Sequence, residues 1–168
     1  MIELIFRRKS RTLTYPMPQG PIMIEAFSEV RNELNGQRPD LSRLPDVETG
    51  CNQDRSPGPV VMPRVFPLGT FNVLGVEATD NQWMEPFKII TDAHQPVPIY
   101  TTKPDGTYGE PTGEWFDDWC YWVHFANGSG HTDGCTGIVQ KPDLLDLAQA
   151  VKNALDSGIP VVITCLDE

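Results

Sequence analysis

Sixteen prolines and fourteen glycines are spread along this chain of 168 residues, and that punctuation keeps every regular element short. Proline removes a backbone donor and clashes inside a helix, and glycine weakens any helix or strand interior. A chain interrupted so often fits a strand-rich domain better than a helical bundle. Its length fits one domain, residues 1–168, and leaves little room for two. With 39% hydrophobic residues there is enough apolar side chain to bury a core. No apolar run approaches the roughly 18 residues of a membrane span.

Hydrophobic alternation supplies the strands. Ile2, Leu4 and Phe6 alternate with Glu3 and Ile5, the chain turns at 8–11, and Leu13 and Tyr15 alternate again, so residues 1–15 read as a β-hairpin. Segment 22–34 is ambiguous: Met23, Phe27, Val30 and Leu34 keep helical spacing, yet IMIEAF equally suits a strand. Residues 35–64 are polar and rich in Pro and Gly, a long surface loop or insertion of the kind that often forms a lid or binding wall. Residues 65–78 look like a strand pair, and 86–93 and 97–102 like two further strands. Residues 103–113 carry turn chemistry, with Asp105-Gly106 as a hairpin signal. CYWVHF at 120–125 reads as a central strand ending in a Gly-rich turn. One helix is expected over 143–156. Pro142 suits its first turn, Leu144, Leu147, Ala148, Val151, Ala154 and Leu155 share a face, and Gly158 stops it. Residues 159–166 close as a buried strand. The expected fold is mainly β with one main α-helix.

A formal charge of −10 argues against nucleic acid as a partner, because phosphate backbones need clustered Lys and Arg. The one basic run, Arg7, Arg8, Lys9 and Arg11, falls in the hairpin turn and reads as a solvated face. The four cysteines form no CxxC pair, so no structural metal site is expected. If Cys135 is a free nucleophile, at most one disulfide can form among Cys51, Cys120 and Cys165, and spacing does not choose it. The N-terminus lacks the pattern of a secretory signal, with its apolar residues ahead of its charges and no small-residue cleavage site.

The stretch that carries chemistry runs from His124 to Ile138. A cysteine nucleophile must lose its proton, and histidine is the side chain best matched to take it near neutral pH. His124 ends an expected strand, and Cys135 sits beyond a turn between Gly134 and Gly137. Small neighbours let a substrate carbonyl approach, and the N–H groups of Gly134 and Cys135 could face an oxyanion. His131, four residues before Cys135, is a rival base or a pocket-lining residue. The bland alternatives are a small buried cysteine and a satisfied core histidine. His94 reads as a loop residue with no carboxylate partner. Trp115, Trp119, Tyr121 and Trp122 read as core and rim packing. Asp117 and Asp118 are adjacent on a strand and point to opposite faces, so joint acid–base work is not expected of them.

The C-terminal half resembles the catalytic domain of L,D-transpeptidases, cysteine enzymes that remodel bacterial peptidoglycan. That family has a strand-borne His, a Ser/Thr-His-Gly-Cys turn, a helix and a closing strand. Here these match His124, Thr132-Asp133-Gly134-Cys135, residues 143–156 and Gly158-Ile159-Pro160-Val161-Val162-Ile163. Upstream, Phe66-Pro67-Leu68-Gly69-Thr70-Phe71-Asn72-Val73 resembles a family strand, and the opening hairpin fits the first strands. The match is specific only over 124–163. The chain departs from the pattern at Phe125, at Asp133 and at Gly137, where the family has Gly, His and a substrate-binding Arg or Asn. The short His-to-Cys interval is similar to compact type VI secretion effectors of the family, which also lack a signal peptide.

The resemblance implies an L,D-transpeptidase-like β-sandwich, a β-rich single domain acting on peptidoglycan tetrapeptide stems without a cofactor. Cys135 would be the nucleophile, His124 the base, Thr132 its orienting neighbour and Gly134 an oxyanion donor. His131, Asp133 and Thr136 would line the substrate pocket. With no Arg after the cysteine, Arg55 or Arg64 of the long loop would meet the substrate carboxylate. The implied partners are stem peptides, with an immunity protein or secretion machinery if the protein is an antibacterial effector. The implied location is the periplasm or cell wall, reached by a route other than a signal peptide. The alternatives are a cysteine peptidase or amidase of the cell-wall hydrolase kind, which usually places Cys before His, and an inert binding module on the same fold.

Overall fold

A computed structural model of the chain describes residues 1–28, 65–81, 84–102, 108–126 and 135–168. The opening hairpin forms as expected. Strands β1 (Ile2–Arg7) and β2 (Thr12–Tyr15) pair antiparallel with Phe6 opposite Leu13. Alternation sends Leu4, Phe6, Leu13 and Tyr15 into the core. Its basic turn is paired rather than merely solvated: Arg7 lies 3.0 Å from Glu168, and Arg8 and Lys9 lie 3.1 and 2.9 Å from Asp167. Exposed pairs of this kind contribute little to stability.

The ambiguous segment resolves as strand β3 (Ile22–Phe27), with Ile24 and Ala26 in the core. Where a strand pair was expected, one ten-residue strand forms, β4 (Gly69–Ala78). Against β5 (Phe87–Thr91) its register shifts between Val73 and Gly75. Gly75 therefore accommodates a bulge in a continuous strand instead of a turn. Strands β6 (His94–Thr102) and β7 (Tyr108–Trp119) form a separate two-stranded sheet. Residues 108–113, expected as turn, thus lie in a strand. Pro111 pairs with Tyr100, and the register shifts on either side of Tyr100. Asp105 and Gly106 lie outside the described residues, as do all of 35–64.

The expected CYWVHF strand contracts to β8 (Val123–Phe125), because Cys120, with φ 77°, turns the chain in left-handed backbone just before it. Then follow β9 (Thr136–Ile138), helix α1 (Lys141–Asp156) and β10 (Val161–Leu166). Eight strands close into a barrel in the order β1-β10-β4-β5-β8-β9-β3-β2, leaving β6 and β7 apart. Among the described residues the fold is β-rich with one helix, but its strands wrap into a barrel where two stacked sheets were expected. Pairing β2 back to β1 satisfies the last backbone edge. Two contacts in the ring are parallel, β1 with β10 and β8 with β9.

Helix α1 joins β9 to β10 and buries Leu144, Leu147, Ala148, Val151 and Ala154. Leu144, Leu147 and Val151 belong to the same core as Phe6, Leu13, Ile89 and Ile163. Phe66 anchors this core through edge-to-face contacts with Phe6, Phe71 and Tyr121 at centroid distances of 6.1–6.2 Å. Among the described residues no helix is long and apolar enough to cross a membrane.

Candidate active site

Strands β8 and β9 run side by side in parallel, with Val123 beside Thr136, His124 beside Gly137 and Phe125 beside Ile138. Side chains alternate between faces along a strand. Val123 and Ile138 point into the barrel core, so His124, Gly137 and, two residues earlier, Cys135 belong to the outer face. A second apolar cluster on that face contains Met84, Trp122, Ile90, Cys120 and Cys135, separate from the barrel core. Cys135 and His124 are thus diagonal neighbours on adjacent strands, a spacing of about 7–8 Å between Cα atoms.

Both side chains are held by backbone groups. The Trp122 N–H donates to Cys135 Sγ at 3.4 Å, and the thiol donates to the Cys120 carbonyl at 3.5 Å. The left-handed turn at Cys120 precedes this contact directly, so a conformation unfavourable for a non-glycine residue lies beside the thiol. Cys120 is itself disulfide-bonded, whereas Cys135 and Cys165 are free thiols. Cys165 is of a different kind. It sits in the barrel core with its thiol 3.6 Å from the Phe66 carbonyl, and burial raises its pKa to about 12, with Arg8 opposing. Cys135 is only partly buried.

His124 is 6% exposed. Its Nδ1 lies 2.6 Å from the Phe125 carbonyl oxygen, which can only accept, so Nδ1 carries the proton. Burial pushes the His124 pKa down, partly offset by this hydrogen bond. The residue is therefore a neutral imidazole of fixed tautomer, with Nε2 as its basic nitrogen.

Thr136 behaves differently from its neighbour. It is fully buried on the inward side of β9, and its Oγ1 has no hydrogen-bond partner. Thr132, Gly134, His131, Asp133, Arg55 and Arg64 lie outside the described residues. His94 is not a loop residue without a carboxylate: it begins β6, and its Nδ1 lies 3.2 Å from Asp117. The aromatic stretch divides. Tyr121 is core, Trp122 walls the Cys135 cluster, and Trp119 is exposed.

One residue on this face escaped the sequence reading. Lys88 of β5 lies directly opposite His124 in the antiparallel β5–β8 ladder, and its Nζ stands 4.3 Å from the centre of the Trp122 ring. Alternation in Phe87–Thr91 was the available signal, since Ile89 faces the core and Lys88 and Ile90 must face out. Beyond β9, Phe27 of β3 lies opposite Gly137, and Gly137 places no side chain between it and His124.

No family model, curated protein or solved structure matches the chain.

Proposed function

We propose that the protein is a cysteine acyl-transfer enzyme of the L,D-transpeptidase kind, acting on peptidoglycan tetrapeptide stems. The observation that supports it most is the pairing of a partly buried free thiol with a neutral, tautomer-fixed histidine on one face of adjacent strands. In the proposed reaction His124 Nε2 takes the thiol proton, and Cys135 Sγ attacks the carbonyl of the third stem residue. The tetrahedral oxyanion is held by the N–H groups of Gly134 and Cys135. The C–N bond then breaks, and the proton passes from the imidazolium to the departing D-Ala amine. An amine or water attacks the thioester, gives its proton to His124, and releases the acyl group and the thiol. The Trp122 N–H, already directed at Sγ, can hold the thiolate formed in each half.

A role as a secreted effector belongs to this proposal. Purified muropeptides incubated with the protein test it. Mass spectrometry should show loss of D-Ala, D-amino-acid exchange or dimers, and Cys135→Ala should abolish them while circular dichroism shows the fold retained. Turnover that survives in Cys135→Ala refutes the mechanism.

A further inference from the structure

The three strands β5, β8 and β9 lie side by side on the barrel, about 5 Å apart. On their outer face they carry Lys88, His124 and Cys135 in that order. The order has a consequence for any acyl transfer at Cys135. The group that leaves must take its proton from His124, so it departs on the His124 side of the thiol. The next side chain in that direction is Lys88.

Lys88 is an unusual cation for a strand surface. Its side chain is only 20% exposed, and its ammonium sits over the Trp122 ring at 4.3 Å. Its carboxylate neighbour, Glu77 on β4, is 3.5 Å away, and Glu77 is 60% exposed. A rim pair of that kind is worth little, and an ammonium has three donors, so a second carboxylate can be bound beside the first. Trp122 also belongs to the cluster around Cys135, so it fixes the ammonium relative to the thiol.

We propose that Lys88 recognises the free α-carboxylate of the residue that leaves, restricting the enzyme to acyl donors with a single C-terminal amino acid beyond the scissile bond. The inference rests on the reading of Cys135 and His124 as nucleophile and base. It assigns the negative charge of the substrate to the leaving side, next to the base, and to a strand residue of the barrel. Lys88 is here a specificity residue, in contact with substrate and not with the reacting atoms.

The test compares two synthetic donors, a stem tetrapeptide ending in D-Ala and the same peptide ending in D-alaninamide, with wild type, Lys88→Met, Lys88→Gln and Lys88→Arg. Wild type should prefer the carboxylate donor by about ten- to a hundredfold in kcat/KM, the size of one charge-assisted hydrogen bond. Lys88→Met and Lys88→Gln should close the gap between the donors, chiefly through KM, and Lys88→Arg should restore most of it. If both neutral variants keep wild-type selectivity, or lose activity equally on the two donors, Lys88 only packs on Trp122 and the proposal is overturned while the role of Cys135 stands. If wild type turns over neither donor, the reading of Cys135 falls and the proposal with it.

Discussion

Burying His124 as a neutral base makes a measurable demand on stability. In the unfolded chain its pKa is near the ordinary value of about 6.5. In the folded protein, burial lowers it, and the hydrogen bond to the Phe125 carbonyl only partly compensates. Below pH 6.5 the unfolded state therefore binds a proton that the folded state refuses, and stability falls as the pH falls. From about one pH unit above that value both states are neutral and the group contributes almost no slope. For a single histidine that stays neutral when folded, the loss reaches about 1.4 kcal/mol at about pH 5.5 and grows by about as much per further pH unit until the folded pKa is reached. Other groups contribute to the overall pH dependence of stability, so the informative quantity is a difference. His124→Gln keeps an amide donor for the Phe125 carbonyl and cannot titrate. Urea unfolding of both proteins near pH 7.5, 6.5 and 5.5 should show the wild type losing more stability than the variant across the series, by at most about 1.4 kcal/mol, with unchanged m-values. Parallel stability curves would refute the claim that His124 is held neutral.

Two further outcomes follow from the same strands. Iodoacetamide near pH 8 should label Cys135 in the native protein and leave Cys165 untouched until denaturant is added, as peptide mapping would show, because Cys165 is buried and its thiol is pushed up to about 12. Thr136→Val should stabilise the protein by about 1 kcal/mol, since it removes a buried hydroxyl that finds no partner. A loss of stability on urea unfolding would show that the Thr136 hydroxyl is satisfied after all.

How much could be read in advance depends on how local each determinant is. The hairpin β1–β2 and helix α1 announce themselves by alternation and by a single apolar face, and the helix departs from expectation only by starting at Lys141 in place of Asp143. Gly75 and residues 108–113 were misread because glycine and proline serve equally as turn residues and as bulge or edge residues, and only the partner strand decides which. Barrel closure is beyond local pattern altogether. It depends on parallel pairing of β1 with β10 and β8 with β9, contacts between segments that carry no signal of each other. The site divides along the same line. Residue types and the Gly-rich turn drew notice to His124 and Cys135, but their shared face comes from the β8–β9 register. Lys88 was missed because its neighbour across the ladder is 36 residues away, at His124. Thr136 was expected to line the pocket beside Cys135, yet alternation turns it inward.

The central claim is that Cys135 carries the acyl group, and trapping that intermediate tests it most directly. Wild-type protein mixed with a stem tetrapeptide, quenched in acid and digested, should yield a Cys135-containing peptide heavier by the acyl tripeptide, that is, by the substrate less its terminal D-Ala. The adduct should vanish with Cys135→Ala and disappear from the wild type when the acid-quenched sample is treated with neutral hydroxylamine, which cleaves thioesters. Turnover without an adduct on Cys135, or an adduct on another residue, would contradict the account.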